Sequence, residues 1–117
     1  MMLQTVVETP EYIRWANSRM DNSSRESFIN HIAEHPLIGE LISETGGARK
    51  ARWTSNHNQG KRGGVRVIYY YYNEKIPIFL FTVYAKSEKD NINNQEKKIL
   101  KKIIKFIVQT YGEEHHE

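Results

Sequence analysis

Residues 48–72 read ARKARWTSNHNQGKRGGVRVIYYYY, and two pieces of this stretch alternate with period two. In Ala48 to Trp53, Lys50 and Arg52 point one way and Arg49, Ala51 and Trp53 the other. In Val65 to Tyr72, Arg66, Ile68, Tyr70 and Tyr72 share one face and Val65, Val67, Tyr69 and Tyr71 the opposite one, because successive side chains leave a strand on alternate sides. Apart from Arg66, every residue of the second run is β-branched or aromatic, which favours strand over helix. The connection from Thr54 to Gly64 is polar and glycine-rich, so the two strands are expected to pair antiparallel as a hairpin. That pairing sets Lys50, Arg52 and Arg66 side by side on one face, with Lys61 and Arg62 in the loop above. No carboxylate occurs between Glu44 and Glu74. A cluster of like charge repels itself and is expected to serve an anionic visitor.

The net charge of +3 says little by itself, but its distribution is uneven: residues 1–44 hold three basic and seven acidic groups, residues 45–73 six and none, and residues 74–117 eight and seven. A local basic patch on a balanced surface points to nucleic acid or another phosphate-bearing partner, with a merely solvated basic hairpin as the bland alternative. The 117 residues suffice to bury a core without covalent staples. The absence of cysteine excludes a disulfide framework and a thiolate metal site and suits a cytoplasmic protein. MMLQTVVETPEY lacks the basic segment and apolar run of a signal peptide. The longest apolar run, near Ile76 to Ala85, is of strand length.

Working outward toward the N-terminus, Gly46-Gly47 marks the way into the sheet, and Leu37 to Thr45 reads as a connection anchored by Leu37, Ile38, Leu41 and Ile42. Ser23-Ser24-Arg25-Glu26 has capping-box spacing and predicts a helix whose buried face is Phe28, Ile29, Ile32 and Ala33 and which His35-Pro36 stops. An earlier helix is predicted from Thr9-Pro10-Glu11, with Thr9 as cap, an apolar stripe of Ile13, Ala16 and Met20, and a break at Asp21-Asn22. Leu3, Val6 and Val7 make a short strand before it.

Toward the C-terminus, Asn73-Glu74-Lys75 is turn-like and Ile76 to Lys86 is a further strand, apolar on both faces and therefore central, with Pro77 near its start. Thr82, Tyr84 and Lys86 share a face of it; if that is the Arg66 face, Lys86 joins the basic cluster. Ser87 to Asn91 is polar loop. Asn93-Asn94-Gln95-Glu96 caps a last helix with Ile99, Leu100, Ile103, Ile104 and Ile107 on one side and Lys97, Lys98, Lys101, Lys102 and Lys105 on the other. Its apolar stripe has the width of a core-facing helix, so packing is favoured over lying on a membrane. Gly112 is expected to end it and 113–117 to form a frayed tail. One α+β domain spanning 1–117 follows, with an N-terminal helical hairpin, a small antiparallel or mixed sheet and a C-terminal helix.

Candidate chemistry is narrow. His31 and His35 stand four apart without an accompanying HExxH carboxylate, and His115 and His116 fall in the tail, so no metal or other cofactor is expected. His57 lies in the basic loop, where an exposed solvated role and a proton-donor role are both open. There is no cysteine or serine elbow for nucleophilic catalysis, and Gly60-Lys61-Arg62-Gly63-Gly64 lacks the spacing of a Walker loop. What remains is phosphodiester chemistry run by basic groups. In RNA the nucleophile comes from the substrate's own ribose 2′-hydroxyl, so the protein need only orient it and neutralise charge on the phosphate. Arginine forks match two phosphate oxygens, and a lysine crowded by like charges exchanges protons nearer neutrality.

The order of strand, helical hairpin, ARKARW, GKRGGVRVIYYYY, PIFLFTVYAKSEKDN and NNQEKKILKKII resembles the RelE superfamily of bacterial toxins, with the HigB type nearest. The most specific parts are the G-G-x-R-V-I-Y-Y strand and the V-Y-A-K-x-E-K segment. The resemblance implies a RelE-like sheet packed on helices, acting in the cytoplasm as an mRNA interferase. Such a toxin enters the ribosomal A site and cleaves the message through the 2′-hydroxyl without a metal. By motif position, Lys50 and Arg52 match the basic pair of the preceding strand, Arg66 the arginine that stabilises the transition state, and Lys86 the basic residue after the last core strand. Either Lys50 or Lys86 is the base. Arg49, Lys61, Arg62, Tyr84, Lys89 and His57 are the expected RNA or ribosome contacts. No tyrosine lies between Asn91 and Lys105 to stack on a base as in some relatives, which leaves Tyr84 and Tyr111 as substitutes.

The resemblance also implies a HigA-type antitoxin that covers or distorts the basic face and carries the DNA-binding helix-turn-helix, so that DNA is met only through that partner. The acidic first half, with Glu8, Glu11 and Asp21, is the expected docking surface. Two other readings stay open from the sequence: a ParE-like protein that inhibits a topoisomerase, and a non-catalytic RNA-binding module with tyrosines among Tyr69 to Tyr72 as stacking platforms.

Overall fold

The computed structural model describes residues 4–54 and 64–114. In chain order they form β1 (Val6–Glu8), α1 (Pro10–Arg19), α2 (Asn22–Glu34), β2 (Glu40–Leu41), β3 (Ala48–Trp53), β4 (Val65–Tyr70), β5 (Ile78–Ala85) and α3 (Asn94–Glu114). The five strands make one mixed sheet ordered β1-β5-β4-β3-β2, in which only the β1/β5 pair is parallel. The α+β class and the helical hairpin are as the sequence predicts.

The hairpin of β3 and β4 forms with Lys50 opposite Ile68 and Arg52 opposite Arg66. Gly64 makes it possible: its φ is +70°, and a Cβ there would stand 2.3 Å from the Trp53 carbonyl oxygen, so a side chain is excluded by both conformation and space. Lys61, Arg62 and His57 lie outside the described residues.

Alternation then sorts the hairpin onto two cores. On one face Val65, Val67, Tyr69 and Ala51 pack with Ile78 and Leu80 against Tyr12, Ala16, Met20, Phe28 and Ile32 of the α1/α2 hairpin. On the other, Ala48, Ile68, Tyr70 and Phe81 pack against Leu100, Ile104 and Ile107 of α3. Both faces of β5 are therefore covered, as its apolar composition requires.

β5 carries one irregularity. Ile68 is opposite Thr82 but Tyr69 is opposite Leu80, so Phe81 is an extra residue, a β-bulge. The Thr9 hydroxyl lies 2.8 Å from the Leu80 carbonyl oxygen and 3.2 Å from that of Phe81. The Thr9 hydroxyl oxygen also accepts the Tyr12 N–H at 3.2 Å as the cap of α1, so one residue fixes the bulge and starts the helix.

Several sequence expectations are corrected. The cap of α2 is Asp21, whose carboxylate accepts the Ser24 N–H at 2.8 Å; it lies two residues ahead of the predicted cap Ser23, and its charge suits the positive helix end. Tyr12 takes the core position expected of Ile13, which is 39 % exposed. Leu37, Ile38 and Leu41 are exposed instead of anchoring the connection, within which the two-residue β2 forms. β4 ends at Tyr70 rather than Tyr72, with Tyr71 packed on the α1/α2 core and Tyr72 exposed. β5 is shorter than predicted at both ends. Ile99 and Ile103 are exposed along the edge of the α3 stripe, together with Phe106. Gly112 does not end α3, which continues to Glu114; its φ is not positive, and a glycine in a helix interior costs only about 1 kcal/mol.

Candidate functional site

The registers of β3, β4 and β5 align Arg52, Arg66 and Tyr84 in one row across the α3 face of the sheet, and Glu40, Lys50, Ile68 and Thr82 in the next. Arg66 is at the centre and only 6 % exposed, with Nη1 donating to the Val65 carbonyl at 3.3 Å. Beside it Tyr84 is also buried, and its hydroxyl donates to the Asp90 carbonyl at 3.2 Å. Burial raises the Tyr84 phenol, and the nearby Arg66 charge works against that rise.

The connection between β5 and α3 folds back over this row. Lys86 pairs with Asp90 at 2.8 Å, Lys50 Nζ donates to Asn91 Oδ1 at 2.7 Å, and Lys89 pairs with Glu96 at 2.9 Å while lying 5.0 Å above the Tyr84 ring. Asn93 and Glu96 cap each other reciprocally at the start of α3, at 2.8 and 2.7 Å. At the loop's other end Glu88 accepts the Ala85 N–H and pairs with Arg19; the Arg19 hydrogen bond, followed by that N–H, lowers its carboxyl to about 2. The Lys86 hydrogen bond, with the charges of Lys86, Lys50 and Arg66, likewise lowers Asp90.

The basic cluster is therefore not without carboxylates, as the gap between Glu44 and Glu74 implied. Folding brings Asp90 from the C-terminal side and Glu40, across from Lys50, from the N-terminal side. Among the expected site residues, Lys50, Arg52, Arg66, Tyr84, Lys86 and Lys89 come together. Arg49 does not: it leaves β3 on the opposite face, and its guanidinium donates to the Gly39 carbonyl at 2.7 Å. Tyr84 has no open ring face for a base, and Tyr111, on α3, packs edge-on to Phe79 of β5 at 6.0 Å between centroids. The His31 ring makes tilted contacts with the rings of His35, at 4.9 Å, and Trp53, at 5.3 Å between centroids. Asp90 and Asn91 were missed by sequence reasoning. The Lys86/Asp90 spacing of four was a usable signal, whereas nothing local announces that Asn91 meets Lys50.

Residues 6–116 match the family described as RelE toxin of the RelE/RelB toxin–antitoxin system. The chain belongs to the RelE toxin family. Its fold is also that of a solved Escherichia coli structure, a double-arginine mutant of the toxin RelE in the free state. The two share 18 % identity and a TM-score of 0.52 over 74 % of this chain and 86 % of that one. Membership in the RelE family makes this chain a toxin-type protein with an antitoxin counterpart. No helix among the described residues is long and apolar enough to cross a membrane.

Proposed function

We propose that this RelE-family chain is the toxin of a type II toxin–antitoxin module of the HigB type, a cytoplasmic mRNA endoribonuclease that works in the ribosomal A site and is held in check by a HigA-type antitoxin. The observation that carries this reading is the convergence of Lys50, Arg52, Arg66 and Lys86 on one sheet face. In the proposed reaction the ribose 2′-oxygen loses its proton and bonds to the adjacent phosphorus. The P–O5′ bond breaks, leaving a 2′,3′-cyclic phosphate, and the departing 5′-oxygen takes up a proton. Arg66, fixed by burial, stabilises the charge that builds on the phosphoryl oxygens. Arg52, in register beside it and exposed, holds the incoming backbone. Lys50 is assigned the base role because its ammonium is held by a neutral amide, whereas that of Lys86 is held by a carboxylate. Lys86 exchanges Asp90 for substrate phosphate. No step calls for a metal.

Primer extension on a defined message, with and without programmed ribosomes, tests this reading. Cleavage on ribosomes that is lost in Arg66→Ala supports it. Growth arrest on expression without cleavage in either condition overturns it in favour of the topoisomerase-directed alternative, and ribosome binding without cleavage in favour of the RNA-binding one.

A further inference from the structure

Beside the cationic row lies a cavity of about 460 Å³ between the edge strand β2 and the first turn of α3. Its floor is Ile68, fully buried, with Ile92 at one side. Its β2-side wall is built from Glu40 to Ser43. That wall is held firmly: the Ile42 N–H donates to the Ala48 carbonyl at 2.8 Å, and Thr45 Oγ1 links the Ile42 carbonyl at 2.7 Å to the Ala48 N–H at 2.9 Å. The opposite wall carries Asn91 and Lys97. Lys50 is common to the cavity and the basic cluster, reaching Asn91 at 2.7 Å.

This lining has the chemistry of a base pocket. The partly exposed Ile42 offers an apolar surface to the flat face of a nucleobase, and polar groups at the rim suit its edges. Glu40, exposed and opposite Lys50, offers a carboxylate that only accepts hydrogen bonds. It is matched by the exocyclic amine of adenine or cytosine and opposed by the carbonyl O4 of uracil. We infer that the cavity is a base-reading subsite for an amino-bearing nucleobase next to the cleaved phosphate, with Glu40 setting the preference and Ser43 and Asn91 closing its rim. The inference rests on the RNA-cleaving reading, and its test separates the two.

Cut-site mapping on programmed ribosomes, with messages differing by one base at each A-site codon position, compares wild type with Glu40→Gln and Ser43→Trp. Both positions are exposed, so the fold is expected to survive. Wild type is expected to disfavour uracil at one position by about tenfold or more. Glu40→Gln, whose amide both donates and accepts, narrows this below about threefold, and Ser43→Trp, which fills the cavity, removes it. An identical base profile in all three proteins, each still cutting, overturns the subsite and leaves the enzyme standing. If wild type cuts nothing, the enzyme reading fails and the subsite is judged by titrating the protein with AMP, CMP and UMP while following backbone amide shifts. Shifts at 40–43 and 91–97 with AMP and CMP but not UMP uphold a base pocket, and no shifts there with any of the three overturn it.

Discussion

At the ends of β3 and β4 nearest the hairpin connection, the two faces of the sheet differ completely. On the α1/α2 side Trp53 packs edge-on to Phe28 at 5.4 Å between ring centroids, its indole N–H donates to the Ser24 carbonyl at 3.2 Å, and Val65 is fully buried. On the α3 side the neighbouring residues are Arg52, which is exposed, and Arg66, which is buried beside the polar connection that leads into α3. The same two strands close a core with one set of side chains and build a charged site with the other. Strand alternation makes this economical: a shift of one residue along the chain moves from interior to site. It also means that the site's rigidity is borrowed from the core behind it.

The largest expected effect tests that borrowing. Phe28→Ala, which removes a fully buried ring from the α1/α2 core, is expected to lower stability by about 3–5 kcal/mol in chemical denaturation. It should lower cleavage as well, although the residue lies on the far side of the sheet. If stability falls and the rate of the folded fraction stays at wild type, the two faces are less coupled than described. Arg66→Met is the counterpart: a loss of about 10²–10³ in cleavage rate, with stability lowered far less than by Phe28→Ala, because relief of like-charge crowding offsets part of the lost hydrogen bond to the Val65 carbonyl. Unfolding of this variant would make Arg66 a structural residue first.

Tyr69→Phe is a smaller change. The Tyr69 hydroxyl donates to the Pro36 carbonyl at 2.7 Å and accepts the Gly39 N–H at 2.9 Å, tying the α2–β2 connection to the sheet. Its removal leaves those groups unpaired and is expected to cost about 1–3 kcal/mol. Base preference at the cavity should weaken with it, read by the same cut-site mapping.

The smallest effect concerns acid. Glu88 titrates at about 2 in the fold against 4.5 when unperturbed, chiefly through its Arg19 hydrogen bond. A depressed folded-state value means stabilisation that is present above about pH 4.5 and lost as pH falls toward 2. The stability gap between wild type and Glu88→Gln should therefore shrink across that window. Because the carboxylate is partly solvated, the gap should also shrink with added salt.

The hairpin, its two faces and the shared face of Lys50, Arg52 and Arg66 were legible because period-two patterning is local. The position of Thr9 as a cap beside Pro10 was legible for the same reason. Ile13, Leu37 and Leu41 were misread because apolar character alone does not say which residues tertiary packing selects. The connection from Lys86 to Glu96 was readable as loop and cap, but not as the lid over the basic row, since its contact with Lys50 joins residues 41 apart in sequence. For the same reason the long acidic-free stretch overstated the cluster's isolation.

The bulge at Phe81 divides β5 into two segments with separate registers. Ile78 to Leu80 are set by β1 and by the Tyr69–Tyr70 end of β4, whereas Val83 to Ala85 are set by Val65 to Val67. A change in chain length before Phe81 can be absorbed there. The same change after Thr82 would bring a different residue opposite Arg66 and turn Tyr84 toward the other core. The basic cluster is thus insulated from insertions and deletions on one side only, and Tyr84 beside it is best located by counting back from the end of the strand.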